Sequence, residues 1–400
     1  MKHSERAIVL SLLLSYFSWG VFWGAWGVLL PQFKYDLALS DAALGYALTG
    51  ISIGAIAAMV LGGRLVKTSP AKALMVLLCA FACAVLLLGN ASGFASLAGF
   101  LVVLGMMSGL LDIALNVNVS NAEKAFGRSL FQRAHGVFPL GVILAAPIVG
   151  VARDMNIYTD IILFVVAAFM VPPLALFYAS SRHVSAMSRE ETSASNDGQA
   201  LLRWSVPGAF AGISGIFALI VIFLFLENAV EQWSTLFVEQ NLNSTATVAS
   251  LTPSLYMAAI FVGRMAADRW EHVITIERTL HWGTIGTAAG FTLMAFSTSI
   301  YLTLALAAIM GLLVAPIVPS LYSWISTNVA DDRRTTVLSF VTTLSYLGYL
   351  LSPVFVGSVA SHAFGLRTAW FALGLVALVA YVLSRILRNT IMSRTGGGTL

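Results

Sequence analysis

The chain has 400 residues, of which 58% are hydrophobic and 10% charged, with a net charge of +4. A charged fraction so far below the roughly 25% of a soluble domain excludes a water-soluble protein of two or three domains. The basic excess lies in loops between apolar runs, so it reports membrane topology and excludes a nucleic-acid binder.

Apolar runs repeatedly exceed the roughly 20 residues needed to cross a hydrocarbon core. Helix is the state that satisfies the backbone of each run in lipid. Breaks at Gly, Pro and charge delimit twelve spans, at about 7–31, 41–66, 70–89, 94–122, 129–151, 157–180, 211–238, 246–267, 274–297, 300–326, 335–361 and 366–388. The fold class is therefore an all-α membrane protein with twelve transmembrane helices. The short polar start runs straight into span 1 and reads as an uncleaved N-terminus. With both termini cytoplasmic, 19 of the 22 basic residues fall on the cytoplasmic side. That asymmetry fixes the orientation, with Lys34, Arg153 and Arg367 as the exceptions.

Span 1 places Tyr16, Trp19, Trp23 and Trp26 on one aromatic stripe, beside a second stripe of Gly20, Gly24 and Gly27. The aromatics suit a cavity that stacks on a ring, and equally lipid-facing or core packing. The glycines suit close helix packing. In span 3, Cys79 and Cys83 lie four apart with no His or acidic neighbour, which predicts core packing and no metal or disulfide.

Span 4 carries Asp112 with apolar residues on both sides. An acid at the centre of a membrane helix costs roughly 2.5–3.5 kcal/mol or more, so such groups face a polar interior or serve a function. Ser108, Asp112 and Asn116 share one helix face. Two roles stand for Asp112: a proton-exchanging group in a solute-binding row, or a structural acid neutralised by a cation such as Arg133. His135 titrates near physiological pH, which suits a proton relay or an interfacial packing role. Glu123, Lys124 and Arg128 read as loop charges that pair between helices as the protein changes state.

The one long polar stretch, residues 181–204, is a cytoplasmic linker between a first six-helix bundle (1–180) and a second (205–390). The last residues, 391–400, form a disordered tail. Span 7 sets Glu227 and Glu231 one turn apart, with Asn228 and Gln232 in a parallel row. Two carboxylates at that spacing repel, which favours one proton held between them. Pro316, Pro319 and Pro353 predict kinks in spans 10 and 11. Tyr322, Tyr346 and Tyr349 are candidate cavity hydroxyls. No P-loop, H-E-x-x-H or G-x-S-x-G pattern occurs, so neither ATP-driven transport nor an enzyme is expected.

The halves repeat. Gly63-Arg64-Leu65 recurs as Gly263-Arg264-Met265, and Gly141, Pro147 and Gly150 recur as Gly348, Pro353 and Gly357. Two six-helix repeats are a known transporter plan. At this point the chain resembles the major facilitator superfamily along nearly its whole length. That family's loop between spans 2 and 3 is similar to GRMAADR at Gly263–Arg269 and, more weakly, to GRLVKTSPAK from Gly63, where Lys67 replaces the expected Asp. The acid-x-x-x-Asn of Asp112 and Asn116 and the segment ENAVEQW from Glu227 to Trp233 resemble the fucose permease branch. That branch's acid in span 1 is missing here.

The resemblance implies alternating access around a cavity lined by spans 1, 4, 7 and 10. Asp112, Glu227, Glu231 and His135 would then handle protons. Tyr16, Trp19, Trp23, Trp26, Asn116, Asn228, Gln232, Tyr346 and Tyr349 would bind solute, and Arg64, Arg128, Arg133, Arg264, Asp268 and Arg269 would serve gating. The expectation is a monomeric secondary transporter of a bacterial inner membrane. It moves a small polar solute, a sugar or related metabolite, at the expense of a proton gradient and without a bound cofactor. Sodium stands as the alternative coupling ion. An exporter of amphipathic compounds, drugs or lipids is the alternative function, favoured by the aromatic stripe and weakened by the reduced G-P-x-x-G-G signature of span 5. A transport-inactive membrane sensor is a third reading, disfavoured because no signalling domain is attached.

Overall fold

The structure, a computed structural model, describes residues 3–180, 207–270, 275–329, 331–362 and 364–388. Side chains are described for all of these except residues 3–4, 61, 63–65, 67–68, 207–213, 267–270, 331–332, 335–336 and 339. The expected linker and tail lie outside the described residues.

Every regular element among them is helical. In chain order they are α1 (His3–Asp36), α2 (Asp41–Thr68), α3 (Pro70–Leu87) with a 3-10 turn at Leu88–Asn90, α4 (Phe94–Phe126), α5 (Phe131–Asp154), α6 (Thr159–Ala168) and α7 (Val171–Ala179). After these come α8 (Pro207–Leu242), α9 (Ala246–Trp270), α10 (Ile276–Phe296), α11 (Ile300–Val314), α12 (Ile317–Asn328), α13 (Asp331–Ala360) and α14 (Leu366–Ile386). Eleven helical stretches are long and apolar enough to span a membrane. The ninth expected span, α10, falls short in hydropathy because it carries His281 and several threonines. Thr284 and Thr287 turn their hydroxyls back onto the carbonyls of Leu280 and Gly283, at 2.6 and 2.7 Å, so no polar group is stranded.

Two spans that read as continuous are broken. The sixth divides into α6 and α7 at Phe169 and Met170, just before Pro172 and Pro173. A proline lacks the amide that would close the preceding turn, so a carbonyl is left open. Ser18 of α1 answers it, its hydroxyl donating to the carbonyl of Phe169 at 2.6 Å. The tenth span divides into α11 and α12 at Ala315 and Pro316, where the prolines predicted a bend. Pro353 sits inside an unbroken α13. Cys79 and Cys83 are free and exposed on α3, not packed in the core. In lipid the outward face of a helix is itself an apolar setting, so a thiol gains little by turning inward.

The chain forms two compact units. One spans Met1–Leu39, Tyr46–Gly198 and Thr245–Ser250, and the other Ser40–Gly45, Gln199–Ser244 and Leu251–Leu400. In the first unit α1 packs most extensively on α5. A Cβ on Gly20 would stand 2.1 Å from the carbonyl oxygen of Phe138, and one on Gly141 would stand 2.3 Å from that of Phe17. Only glycine permits backbones this close. In the same unit Asp154 accepts from the amides of Ala246 and Thr247, both at 2.9 Å, and so caps the first turn of α9. The second unit repeats the first crossing between α8 and α13, where a Cβ on Gly348 would stand 2.5 Å from the carbonyl oxygen of Val221.

Two of the three basic residues that break the charge asymmetry have local partners. Arg153 donates to the carbonyl of Val28 at 2.9 Å. Arg367, at the start of α14, donates to the carbonyls of Ala295 and Ser297 at 2.8 Å and of Asn241 at 3.2 Å. It thus closes the end of α10 and ties it to the end of α8. Hydrogen bonds to a charged group contribute about 1.5–3 kcal/mol each, and the three are not additive. Arg367→Ala is expected to destabilise the purified protein by about 2–4 kcal/mol. A thermal melt in detergent checks this, and a melting temperature equal to wild type sinks the clamp.

Candidate functional site

The first unit gathers its polar side chains where α1, α4 and α5 meet. The glycine crossing of α1 on α5 leaves Tyr16 facing α4. Its hydroxyl donates to Asn116 Oδ1 at 2.7 Å, and Asn116 Nδ2 donates to Asp112 Oδ1 at 2.9 Å. The row therefore runs phenol, amide, carboxylate, with each group aligned by the next. Trp19 Nε1 donates to Ser108 Oγ at 3.0 Å, one turn earlier on the same face of α4. His135 lies against this row: its ring centroid is 5.0 Å from that of Tyr16 and stacks 4.3 Å from that of Phe131. Its Nδ1 lies 3.1 Å from the carbonyl of Phe131.

Among the described residues no ion pair reaches Asp112. Arg133 and Arg128 are exposed and pair with no described carboxylate, so neutralisation of Asp112 by Arg133 is not what the structure shows. Glu123 also differs from expectation. Gly127, at φ +60°, ends α4 in the left-handed conformation, and the chain turns back so that Glu123 Oε1 accepts from the amides of Leu130 and Phe131. A loop charge thus becomes the cap of α5, where a carboxylate also suits the helix dipole.

The aromatic stripe divides. Tyr16 and Trp19 belong to the polar cluster, with Trp19 also 5.0 Å from Phe138. Trp26 is 1% exposed and is packed between Phe22 and Phe33, at centroid distances of 6.1 and 5.5 Å. Trp23, half-buried, meets Phe22 edge-on at 5.2 Å. The structure brings Trp26 into the aromatic core and away from the hydrogen-bonded row.

The second unit holds a different cluster, centred on α8. Glu227, Asn228 and Gln232 are each at least nine-tenths buried, and Glu231 is half-buried. Glu227 Oε2, Asn228 Oδ1 and Gln232 Oε1 are buried oxygens with no hydrogen-bond partner among the described residues. Such atoms are costly unless something donates to them. From α9, Arg264 approaches Glu227 Oε1 at 3.7 Å. Its motif suggested a gating residue at the cytoplasmic end of the span, yet α9 continues to Trp270 and Arg264 reaches back to a carboxylate of α8. The side chains of the other motif residues, Arg64, Asp268 and Arg269, lie outside the described residues.

Tyr349 of α13 and Tyr256 of α9 lie within electrostatic reach of both carboxylates and of Arg264. Tyr346 is beside Tyr349, with ring centroids 5.7 Å apart. Tyr322 donates to Ser345 Oγ at 3.3 Å. Tyr256 escaped sequence reasoning. The available signal was its spacing of eight from Arg264, two helical turns along one face of α9.

An all-helical, multi-pass membrane protein with a polar cluster in each of two helical units is a transporter architecture. Residues 217–395 match the family model for the Major Facilitator Superfamily, and the chain belongs to that superfamily. It is 28% identical over 377 residues, 92% of either chain, to an uncharacterized MFS-type transporter of Yersinia pestis. A crystal structure of the nucleoside transporter NupG matches with a TM-score of 0.80 at 14% identity, over 95% of this chain and 99% of that one. A D-xylose-proton symporter matches with a TM-score of 0.74 at 14% identity, over 98% and 99%. At such identities the two solved structures speak to the fold alone. Transporters of this superfamily are not enzymes.

Proposed function

We propose that the protein is a proton-coupled secondary transporter that moves a small polar solute, a sugar or related metabolite, across a bacterial inner membrane by alternating access. In this reading both termini are cytoplasmic, the unit is a monomer, and the proton gradient is the sole energy source. The observation that carries it is the row Tyr16–Asn116–Asp112, a carboxylate on an apolar span held by two aligned hydrogen bonds and no cation. A carboxylate that is neutral with a proton and charged without one is the simplest coupling device at membrane depth. The amide and phenol beside it match hydroxyl-rich solutes. That polar row favours a polar solute over an amphipathic one, as does the withdrawal of Trp26 into the core.

The test uses the purified protein in proteoliposomes, with a panel of pentoses, hexoses, sugar acids and nucleosides set against lipophilic dyes. Uptake of a polar solute that rises with an imposed proton gradient, and is not competed by dyes, is the expected result. Dye movement without polar-solute movement would overturn the reading in favour of the exporter. Stimulation by a sodium gradient in place of a proton gradient would replace the coupling ion.

A further inference from the structure

We propose that Arg264 is the carboxylate receptor of the solute site, so that the solute is a hydroxylated organic acid and Glu227 is the group that exchanges partners with it. This rests on the polar-solute reading above and narrows it to an anion.

Arg264 is the cation that the described part of the second unit sets against carboxylates on the apolar body of α8. Its hold on Glu227 is loose. The 3.7 Å separation exceeds the roughly 2.7–2.9 Å of a charge-assisted hydrogen bond. It involves one nitrogen and one oxygen, whereas a guanidinium presents a planar fork that matches a carboxylate through two parallel bonds. Burial is also uneven. The Arg264 side chain is 45% exposed and that of Glu227 only 7%, so an incoming ligand meets the cation first.

The remaining contacts complete the solute's outline. Next to Glu227 on α8, Asn228 Oδ1 and Gln232 Oε1 are buried acceptors without donors. Hydroxyl groups would satisfy them, which a simple fatty acid could not do. A carboxylate at one end and hydroxyls along the chain describe an aldonic or uronic acid.

Charge balance then links solute to proton. With no solute, Arg264 and Glu227 neutralise each other. When the solute carboxylate takes Arg264, Glu227 loses its counter-ion while Glu231 stands one turn away on the same helix. A proton on Glu227 restores neutrality at that position and removes the repulsion. One anion and one proton therefore bind together, and the loaded site carries the same charge as the empty one. The groups facing this exchange are Glu231 on α8, Tyr256 and Arg264 on α9, and Tyr346 and Tyr349 on α13.

The experiment measures binding of D-gluconate and of the neutral polyol D-glucitol to the full chain in detergent, by thermal shift and by calorimetry. Wild type is expected to bind gluconate at least about tenfold more tightly than glucitol, the discrimination of one lost charge-assisted pair. Gluconate binding should take up about one proton, read as a buffer-dependent heat. Arg264→Lys should weaken gluconate by about tenfold because a point charge replaces the fork. Arg264→Gln should abolish the preference for gluconate. Because Arg264→Gln strands a buried carboxylate, the double variant Arg264→Gln with Glu227→Gln is run beside it. It should restore the melting temperature and still fail to prefer gluconate. Equal binding of glucitol and gluconate, or gluconate binding unaffected by Arg264→Gln, overturns the anion assignment while leaving the polar-solute reading intact. Failure of every polar solute alongside binding of lipophilic dyes overturns both.

Discussion

Asp112→Asn is expected to abolish uphill solute accumulation driven by a proton gradient, while solute-for-solute exchange at equal pH on both sides continues. A gradient of one pH unit supplies about 1.4 kcal/mol per proton, enough for a tenfold concentration ratio at one proton per solute. In the variant that ratio should fall to about one. The substitution suits the test because asparagine keeps the shape of aspartate and its side-chain oxygen can still accept from Asn116 Nδ2. The Tyr16–Asn116 bond at 2.7 Å should survive. What disappears is the capacity to gain and lose a proton. Proteoliposome uptake with and without the gradient, together with counterflow, separates the two properties. Accumulation that stays near tenfold would show that the proton travels elsewhere, with the carboxylates of α8 the next candidates. Loss of both accumulation and exchange, with an unchanged melting temperature, would make Asp112 a solute contact.

The spans were legible in the sequence because the bilayer sets a length, and a run of apolar residues either meets it or does not. Positions within the spans were legible where one helix carries the pattern. Asp112 and Asn116 lie four apart and are bonded in the structure. Gly141 and Gly348 recur in the two halves, and each packs against the first helix of its own half. What stayed hidden depends on a second helix. Glu123 reads as a loop charge, because the amides it caps become neighbours only after Gly127 reverses the chain. Arg264 reads as a gating residue until α8 is placed beside α9 and Glu227 comes within 3.7 Å.

Burial direction is a further blind spot in a membrane protein. Trp26 continues the stripe of Trp19 but turns into a ring of aromatics, and the cysteines of α3 face outward. In water, apolar character predicts burial. In lipid both faces of a helix are apolar, so the pattern that separates inside from outside is carried by a few small and polar residues. The arginines outside the charge asymmetry show the same thing from the polar side. Arg367 lies where the orientation rule disfavours a cation, and three open carbonyls hold it there.

The same crossing that aligns the Tyr16 row should be the most sensitive point of the first unit to added bulk. Gly20→Val is expected to destabilise the protein by about 3 kcal/mol or more, in the upper range for overpacking. The cause is specific: a Cβ at this position would lie 2.1 Å from the carbonyl oxygen of Phe138, 3.0 Å from its carbonyl carbon and 3.3 Å from the Cα of Gly141. These are backbone atoms, so no rotamer change makes room, and α1 must move away from α5. Tyr16 lies one turn from Gly20 and moves with it, which stretches the bond to Asn116 and the contact with His135. Loss of solute binding should therefore accompany loss of stability. Gly99→Ala is the informative control. It lies in α4, where an added Cβ meets nothing within 4 Å, and replacing a helical glycine by alanine typically stabilises by about 0.5–1 kcal/mol. Thermal melts of the two variants in one detergent should move in opposite directions. If Gly20→Val melts like wild type, the α1–α5 crossing is looser than described, and the alignment of Tyr16 with Asn116 must have another source.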